Sequence, residues 1–417
     1  MSSSLTPAAA ARLFACFAGA YFMSYALRSV NAVIAPELVA EFSLDSAQLG
    51  AMSSAYFFSF ALLQLPLGVW LDRYGSRRTD ATLLLVAAIG CATFAAAQSP
   101  AMLWVGRALI GAGVSGALMA ALKGYRFWYA PERQQQLAAW MLVVGTGGAL
   151  VSTVPVQAMV QLIGWRGVFV VAAVLMVASA AAIWFLVPRD EESVAHDHPS
   201  LGAVLAGYRE VFADRYFWRF ALVGIAVQGG FIAMQSLWAG PWLTQVLGLS
   251  AAETARALFV FNLVLLGGYL ALGAALPAFA KRGGSTLRMV GVATALVLAV
   301  QLAIALADGA WAWLLWVVFA LGSTVYTVAQ PHVCTTFPAA LTGRAYTAYN
   351  LLIFVGIFAC QWLFGVAIEL FRGAGFEQVQ AYRATMLGWV AIQAVPFAIL
   401  VWWKVGPRSA GGAPAAR

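Results

Sequence analysis

The chain has 417 residues, 63% of them apolar and 10% charged, with a formal net charge of +8 and a mean hydropathy of +0.84. A soluble domain is about 45–50% apolar and about 25% charged, and no soluble fold of this length has the polar surface to cover such a chain. A soluble enzyme, a disulfide scaffold and a disordered protein are thereby excluded, and the basic excess reads as loops facing anionic lipid rather than as a nucleic-acid surface.

A helix needs about 20 apolar residues to cross a bilayer. Runs of that kind fall at 13–36, 47–71, 81–98, 101–125, 137–160 and 166–187. Six more fall at 217–243, 255–279, 287–307, 311–335, 345–371 and 383–403. They predict an all-α membrane protein of twelve helices. The first run follows one early basic residue, Arg12, and is too long for a signal-peptide core, so it reads as a retained span. Cys16, Cys91, Cys334 and Cys360 all sit inside apolar runs with no CxxC. Neither a disulfide, a metal site nor a cofactor is expected.

The longest interruption, 188–215, carries Asp190, Glu191, Glu192, Asp197, Glu210 and Asp214 with His196 and His198. It reads as a cytoplasmic linker between two six-helix bundles, 1–187 and 216–417, and its histidines as solvated linker residues. Within it Leu201, Val204, Leu205, Tyr208, Val211 and Phe212 recur at helical spacing, which predicts an amphipathic helix on the membrane face. The halves read as a diverged repeat. Trp128 to Pro131 precede Arg133 as Phe337-Pro338 precede Arg344, and Gly145 matches Gly356 at the same offset as that arginine pair. Parallel halves of this kind are a recurring transporter layout.

With the N-terminus placed in the cytoplasm, eighteen of the 24 basic residues fall on inner segments. The exceptions are Arg28, Arg107, Arg166, Arg256, Arg372 and Arg383. This bias predicts a multi-pass protein of the cytoplasmic (inner) membrane with both termini inside.

After the second run the chain reads Gly68-Val-Trp-Leu-Asp72-Arg73-Tyr-Gly75-Ser-Arg77-Arg78. This resembles the G-x-x-x-D-R-x-G-R-R loop of the major facilitator superfamily, bacterial type. Arg107-Ala-Leu-Ile-Gly111-Ala-Gly113 is similar to the family's R-x-x-x-G-x-G signature in helix four. Lys123 to Trp128 with Pro131, Glu132 and Arg133 resemble its following W-F-P-x-E-R loop. The resemblance implies two six-helix bundles in pseudo-twofold arrangement around a central cavity, with helices 1, 4, 7 and 10 along the substrate path. Two departures stand out. The second-half copy of the first loop keeps Lys281 and Arg282 but has Pro277 at the acidic position. Helix five reads Gly145-Thr-Gly147-Gly148, then Pro155, and lacks the element associated with proton-driven antiporters.

Residue by residue, Asp72 is placed to cap a helix N-terminus and to pair with arginines. Gly75 permits a tight turn, and Gly68 a close helix approach. Gly68, Asp72, Arg73, Gly75, Arg77 and Arg78 thus read as a conformational latch. Ionisable groups inside spans are functional candidates. Only Arg28 and Arg107 lie well inside them, about 13 and 9 Å from the outer helix ends at ~1.5 Å per residue. Tyr21, Ser24, Arg28 and Asn31 form one helical stripe. The candidate substrate-binding residues are Arg28, Asn31, Tyr25, Tyr56, Arg107, Gln235, Trp238, Tyr326, Gln330 and Asn350. His332 and Arg107 are candidates for coupling.

An embedded enzyme would need a nucleophile with a base, or a metal cluster. The chain has three histidines, two of them in the linker, and no HExxH or GxSxG. A pump would need GxxxxGK[ST], and a channel a filter or charged ring. The remaining reading is a monomeric secondary transporter working by alternating access, with the lipid bilayer, a small solute and a coupling ion, H+ or Na+, as partners. Two interior arginines without an interior carboxylate favour uptake of a carboxylate or phosphate ligand. Proton-coupled export of drugs or metabolites is the alternative.

Overall fold

The computed structural model describes residues 6–188 and 201–407. The linker residues Asp190, Glu191, Glu192, His196, Asp197 and His198 lie outside the described residues.

Helix starts follow local chemistry. Helix α1 (Pro7–Ser29) opens with proline in its first turn, where a missing N–H costs nothing, and Thr6 accepts from the Ala9 N–H at 3.3 Å. After Val30 the chain continues as α2 (Asn31–Phe42). Helix α3 (Ser46–Ala95) starts from a capping box in which Asp45 and Gln48 satisfy each other's backbone N–H groups. Helix α4 (Pro100–Val114) repeats the proline start behind the Ser99 cap. Ser115 and Gly116, both in right-handed helical conformation, lead from it into α5 (Ala117–Trp128), and Pro100–Trp128 forms one apolar helical stretch. Next come α6 (Gln134–Val151), α7 (Val154–Leu186) and α8 (Leu201–Phe212). A continuous helical stretch, α9 (Arg215–Gln245), is wound more loosely at Gly224–Gln228 and Met234–Trp238. The chain ends in α10 (Ala251–Lys281), α11 (Thr286–Leu306), α12 (Trp313–Ser323), α13 (Tyr326–Cys334), α14 (Ala339–Gly373) and α15 (Gln378–Trp402).

Among the described residues ten helical stretches are long and apolar enough to cross a membrane, against twelve expected. The difference falls on the second and fifth apolar runs. In α3 the second and third runs form two helical parts on either side of a kink at Gly75, whose φ +76° and ψ +167° are not helical, and the qualifying stretch is Pro66–Ala95. The fifth run is interrupted at Ser152–Thr153, just before Pro155, which leaves Gln136–Val151 as a shorter apolar helix.

The helices group into two compact units. One comprises the described part of Met1–His196 with Gln235–Pro241 and Ser250–Asn262. The other comprises the described part of Asp197–Met234, Trp242–Leu249 and Leu263–Arg417.

Within each unit, glycines let helix backbones close on one another, the packing mode available where lipid removes the hydrophobic drive. A Cβ at Gly111 would collide with the Tyr56 carbonyl, and one at Gly113 with the backbone of Ala87. The two glycines of the sequence repeat make different approaches. Gly145 on α6 lies against the Tyr21 and Tyr25 rings of α1, whereas Gly356 on α14 lies against the Ile225 carbonyl of α9. On α6 the backbone approach is made by Gly148 against the Phe22 carbonyl. Gly68 behaves otherwise than expected: a Cβ there meets nothing within 4 Å, so it brings no helix close. The amphipathic helix forms as α8, with Val211 buried and Leu205 exposed. It rests on α14, where Gly207 leaves room for the Arg344 side chain.

Candidate functional site

Helix α1 carries Tyr21, Ser24, Tyr25 and Arg28 on one face, and α3 and α4 bring Tyr56 and Arg107 to it. The Arg28 guanidinium carbon lies 4.3 Å from the Tyr25 ring centroid, 5.8 Å from that of Phe60 and 6.0 Å from that of Phe57. Arg28 is 9% exposed and Arg107 1%. Arg107 lies 5.0 Å over the Tyr56 ring and donates from Nη1 to the Leu27 carbonyl at 2.7 Å. The Tyr56 hydroxyl reaches back to Ser24, 3.2 Å from its carbonyl oxygen and 3.4 Å from its Oγ. Two cations are thus held in one aromatic cage, each over a π face that partly replaces lost hydration. The apolar runs that supply this cage, 13–36, 47–71 and 101–125, contain no Asp or Glu.

Phe57 and Phe60 escaped the sequence reading, although both follow Tyr56 at one and four residues and the second shares its helical face. Asn31 is fully buried, and its Nδ2 donates to Ser53 Oγ at 2.6 Å. That bond ties α2 to α3.

Two further candidates belong to the same unit. Half-buried Gln235 donates from Nε2 to Asn262 Oδ1 at 2.8 Å, and Asn262 in turn donates to the Leu258 carbonyl. Trp238 is buried at 1% exposure. The second unit holds the others. Tyr326 is buried and donates its hydroxyl to Thr294 Oγ1 at 3.3 Å. Gln330 donates to the Tyr346 carbonyl at 3.2 Å, and Asn350 is half-buried on α14. His332 Nε2 lies 2.9 Å from the Tyr216 hydroxyl, with the Phe220 ring centroid at 5.3 Å.

The loop motif folds into a compact turn. Gly75 adopts φ +76°, a region that favours glycine, and Thr79 closes the turn by donating to the Trp70 carbonyl at 3.1 Å. Asp72 was expected to pair with arginines; its partner is Lys123 of α5 at 2.7 Å. Lys123 also donates to the Leu71 carbonyl at 2.6 Å, so one ammonium holds both carbonyl and carboxylate at the end of the second run. Arg77 is directed elsewhere, toward the Val187 carbonyl at 3.4 Å and over the Trp184 ring at 5.2 Å. Arg73 lies over Tyr74 at 5.4 Å, and Arg78 is exposed. Among the described residues no group of three or more His, Cys, Asp or Glu side chains could hold a metal ion.

Comparison with known proteins places these features. The family model described as Major Facilitator Superfamily matches residues 17–360. A Thermus thermophilus protein named "Probable nitrate/nitrite antiporter NarK1" is 30% identical over 269 residues, covering 60% of this chain and 59% of its own. The gentisate transporter of Corynebacterium glutamicum is 25% identical over 250 residues, covering 57% and 53%. The galacturonate transporter of Dickeya chrysanthemi is 23% identical over 269 residues, covering 60% and 77%. The chain spans less than two thirds of the length of the first two of these relatives. Among solved structures, a bacterial homolog of the human lysosomal transporter Spinster superposes with TM-score 0.76 at 19% identity, over 95% of this chain and 97% of the other. A D-xylose-proton symporter does so with TM-score 0.74 at 13% identity, over 95% and 98%. At those identities the likeness is one of fold.

Proposed function

The chain belongs to the Major Facilitator Superfamily, and from that premise we propose that it is a secondary transporter that takes up a small anion bearing a carboxylate or a comparable oxyanion. The observation that carries this reading is the cage of Arg28 and Arg107 on Tyr25, Tyr56 and Phe60, built from runs without a single Asp or Glu. A cation held in a membrane is costly, by at least about 2.5 kcal/mol on insertion scales. An anionic solute complements the two guanidinium charges of the cage, and the planar guanidinium grips a carboxylate bidentately. Arg28 is the binding group. Arg107, more deeply buried and fastened to Leu27, positions it. Relatives named for nitrate/nitrite, gentisate and galacturonate support an anion in this role. A cation exporter would place an acid where these runs have none.

The Asp72–Lys123 pair at the Gly75 turn acts as the latch of an alternating-access cycle, and the distribution of lysine and arginine supports cytoplasmic termini. The test is uptake by purified protein in liposomes of gentisate, galacturonate, sulfoacetate and nitrate, with an organic cation as control. Saturable uptake of at least one anion and none of the cation is expected. Uptake of the cation alone overturns the reading.

A further inference from the structure

Asp80 lies in the first helical turn after Gly75, is 0% exposed, and has no hydrogen-bond partner at either carboxylate oxygen. It faces Gly116 at the junction of α4 and α5: a Cβ at Gly116 would stand 3.6 Å from Oδ1 and 2.8 Å from Leu83 Cδ1. The charged and titratable groups on the neighbouring elements are engaged elsewhere. On α5, Lys123 is bound to Asp72 and the Leu71 carbonyl, Arg126 is exposed, and the Tyr125 hydroxyl lies 3.4 Å from the Phe14 carbonyl and from Met141 Sδ. On α7 the neighbour of this turn is Trp184, under Arg77. On α1, Arg12 is exposed and Cys16 donates to the Ala182 carbonyl. On α3 itself, Arg73 and Arg78 are exposed.

An ionised carboxylate buried without a donor or a countercharge is strongly disfavoured, and the group escapes by taking a proton. The positive end of the first turn opposes this only weakly, since that effect is small and fades beyond the turn. We propose that Asp80 is the proton-binding site of the transport cycle: it carries one proton while enclosed against Gly116, and gives it to water when the packing between the Gly75 turn and Gly116 opens. The inference rests on the transporter reading but names a different residue from the anion cage. Nothing in the fold demands an acid at this place. The repeat offset that pairs Gly145 with Gly356 puts Gly291 at the equivalent position of the second half. The turn at Gly75, with φ +76°, supplies the movement that alternately encloses and wets the carboxyl.

Two measurements on the full-length protein in lipid test this. In infrared difference spectra across a pH titration, the wild type should show the carbonyl stretch of a protonated carboxylic acid, and Asp80→Asn should lack it. In liposomes with gentisate as the probe, an imposed pH gradient should drive accumulation by the wild type. Asp80→Asn should lose that accumulation at least tenfold while keeping gentisate–gentisate exchange, and Asp80→Glu should retain part of it. An unchanged infrared band in Asp80→Asn, accumulation by that variant equal to wild type, or accumulation that follows sodium instead of protons overturns the proposal. If the wild type carries no gentisate, the substrate reading fails, and the infrared comparison still decides Asp80. If Asp80→Asn does not fold, the displacement of the band in Asp80→Glu decides it, an unmoved band being the negative result.

Discussion

Arg107 Nη1 donates a 2.7 Å hydrogen bond to the carbonyl oxygen of Leu27, the peptide group that leads directly into Arg28. The arginine of the family signature in α4 therefore holds the α1 arginine through the main chain. On the proposed anion reading Arg107 positions and Arg28 binds, and the two roles are separable by kinetics.

Arg107→Lys keeps the charge but loses the planar group that lies over Tyr56 while bonding Leu27. A charge-assisted hydrogen bond is worth about 1.5–3 kcal/mol. The variant should raise KM for the transported anion about tenfold, equivalent to ~1.4 kcal/mol, with a smaller change in maximal rate. Concentration-dependent uptake in liposomes measures the split. A fall in rate at unchanged KM would assign Arg107 to the conformational step instead.

Asp72 and Lys123 form an ion pair whose side chains are 63% and 21% exposed. Such a pair contributes no more than about 1 kcal/mol to stability. Asp72→Asn should consequently leave the unfolding temperature within a few degrees of wild type while transport falls severalfold. Thermal unfolding and uptake are measured on the same preparation. Unchanged transport would reduce the loop to a topology signal.

The glycine approaches make a matched pair of stability predictions. A Cβ at Gly356 would run into the Ile225 carbonyl, whereas one at Gly343 on the same helix meets nothing. Overpacking typically costs about 1–3 kcal/mol. Gly356→Val should lower the unfolding temperature clearly. Gly343→Ala should hold or slightly raise it, since Gly is about 1 kcal/mol worse than Ala inside a helix.

Much of this was legible in the sequence because its cause is local. The apolar runs and the positive φ at Gly75 each follow from residue type and spacing. What was not legible depends on which helix faces which. Asp72 sits among arginines in the chain, yet Lys123, half a hundred residues on, reaches it in the fold. Gly68 fits the family motif, yet it meets no neighbour. No motif in the chain marks Asp80, and its complete burial is seen only in the fold. The fifth span was read from hydropathy alone, which does not register that the helix stops before Pro155.

A pH effect is expected at Glu41. Burial raises its carboxyl, but hydrogen bonds from Trp165 Nε1 at 2.8 Å and from Arg166 outweigh it and hold the group below its usual range. A depressed carboxyl stabilises the fold above its unfolded-state value and loses that contribution as pH falls through the folded-state value. The Arg166–Glu41 contact should therefore weaken only in acid below the ordinary glutamate range. Because both side chains are about 40% exposed, the effect on stability is small. Comparing the acid limb of thermal unfolding in wild type and Glu41→Gln measures it, and identical limbs would show that the contact contributes nothing.

The most direct test of the anion cage is Arg28 itself. Affinity and uptake are measured for purified, folded Arg28→Lys and Arg28→Ala with whichever of gentisate, galacturonate, sulfoacetate or nitrate the wild type carries. The cage predicts that Arg28→Lys loses affinity about tenfold despite keeping its charge, because the fork is gone, and that Arg28→Ala nearly abolishes transport. Normal transport of the anion by Arg28→Ala would contradict the account.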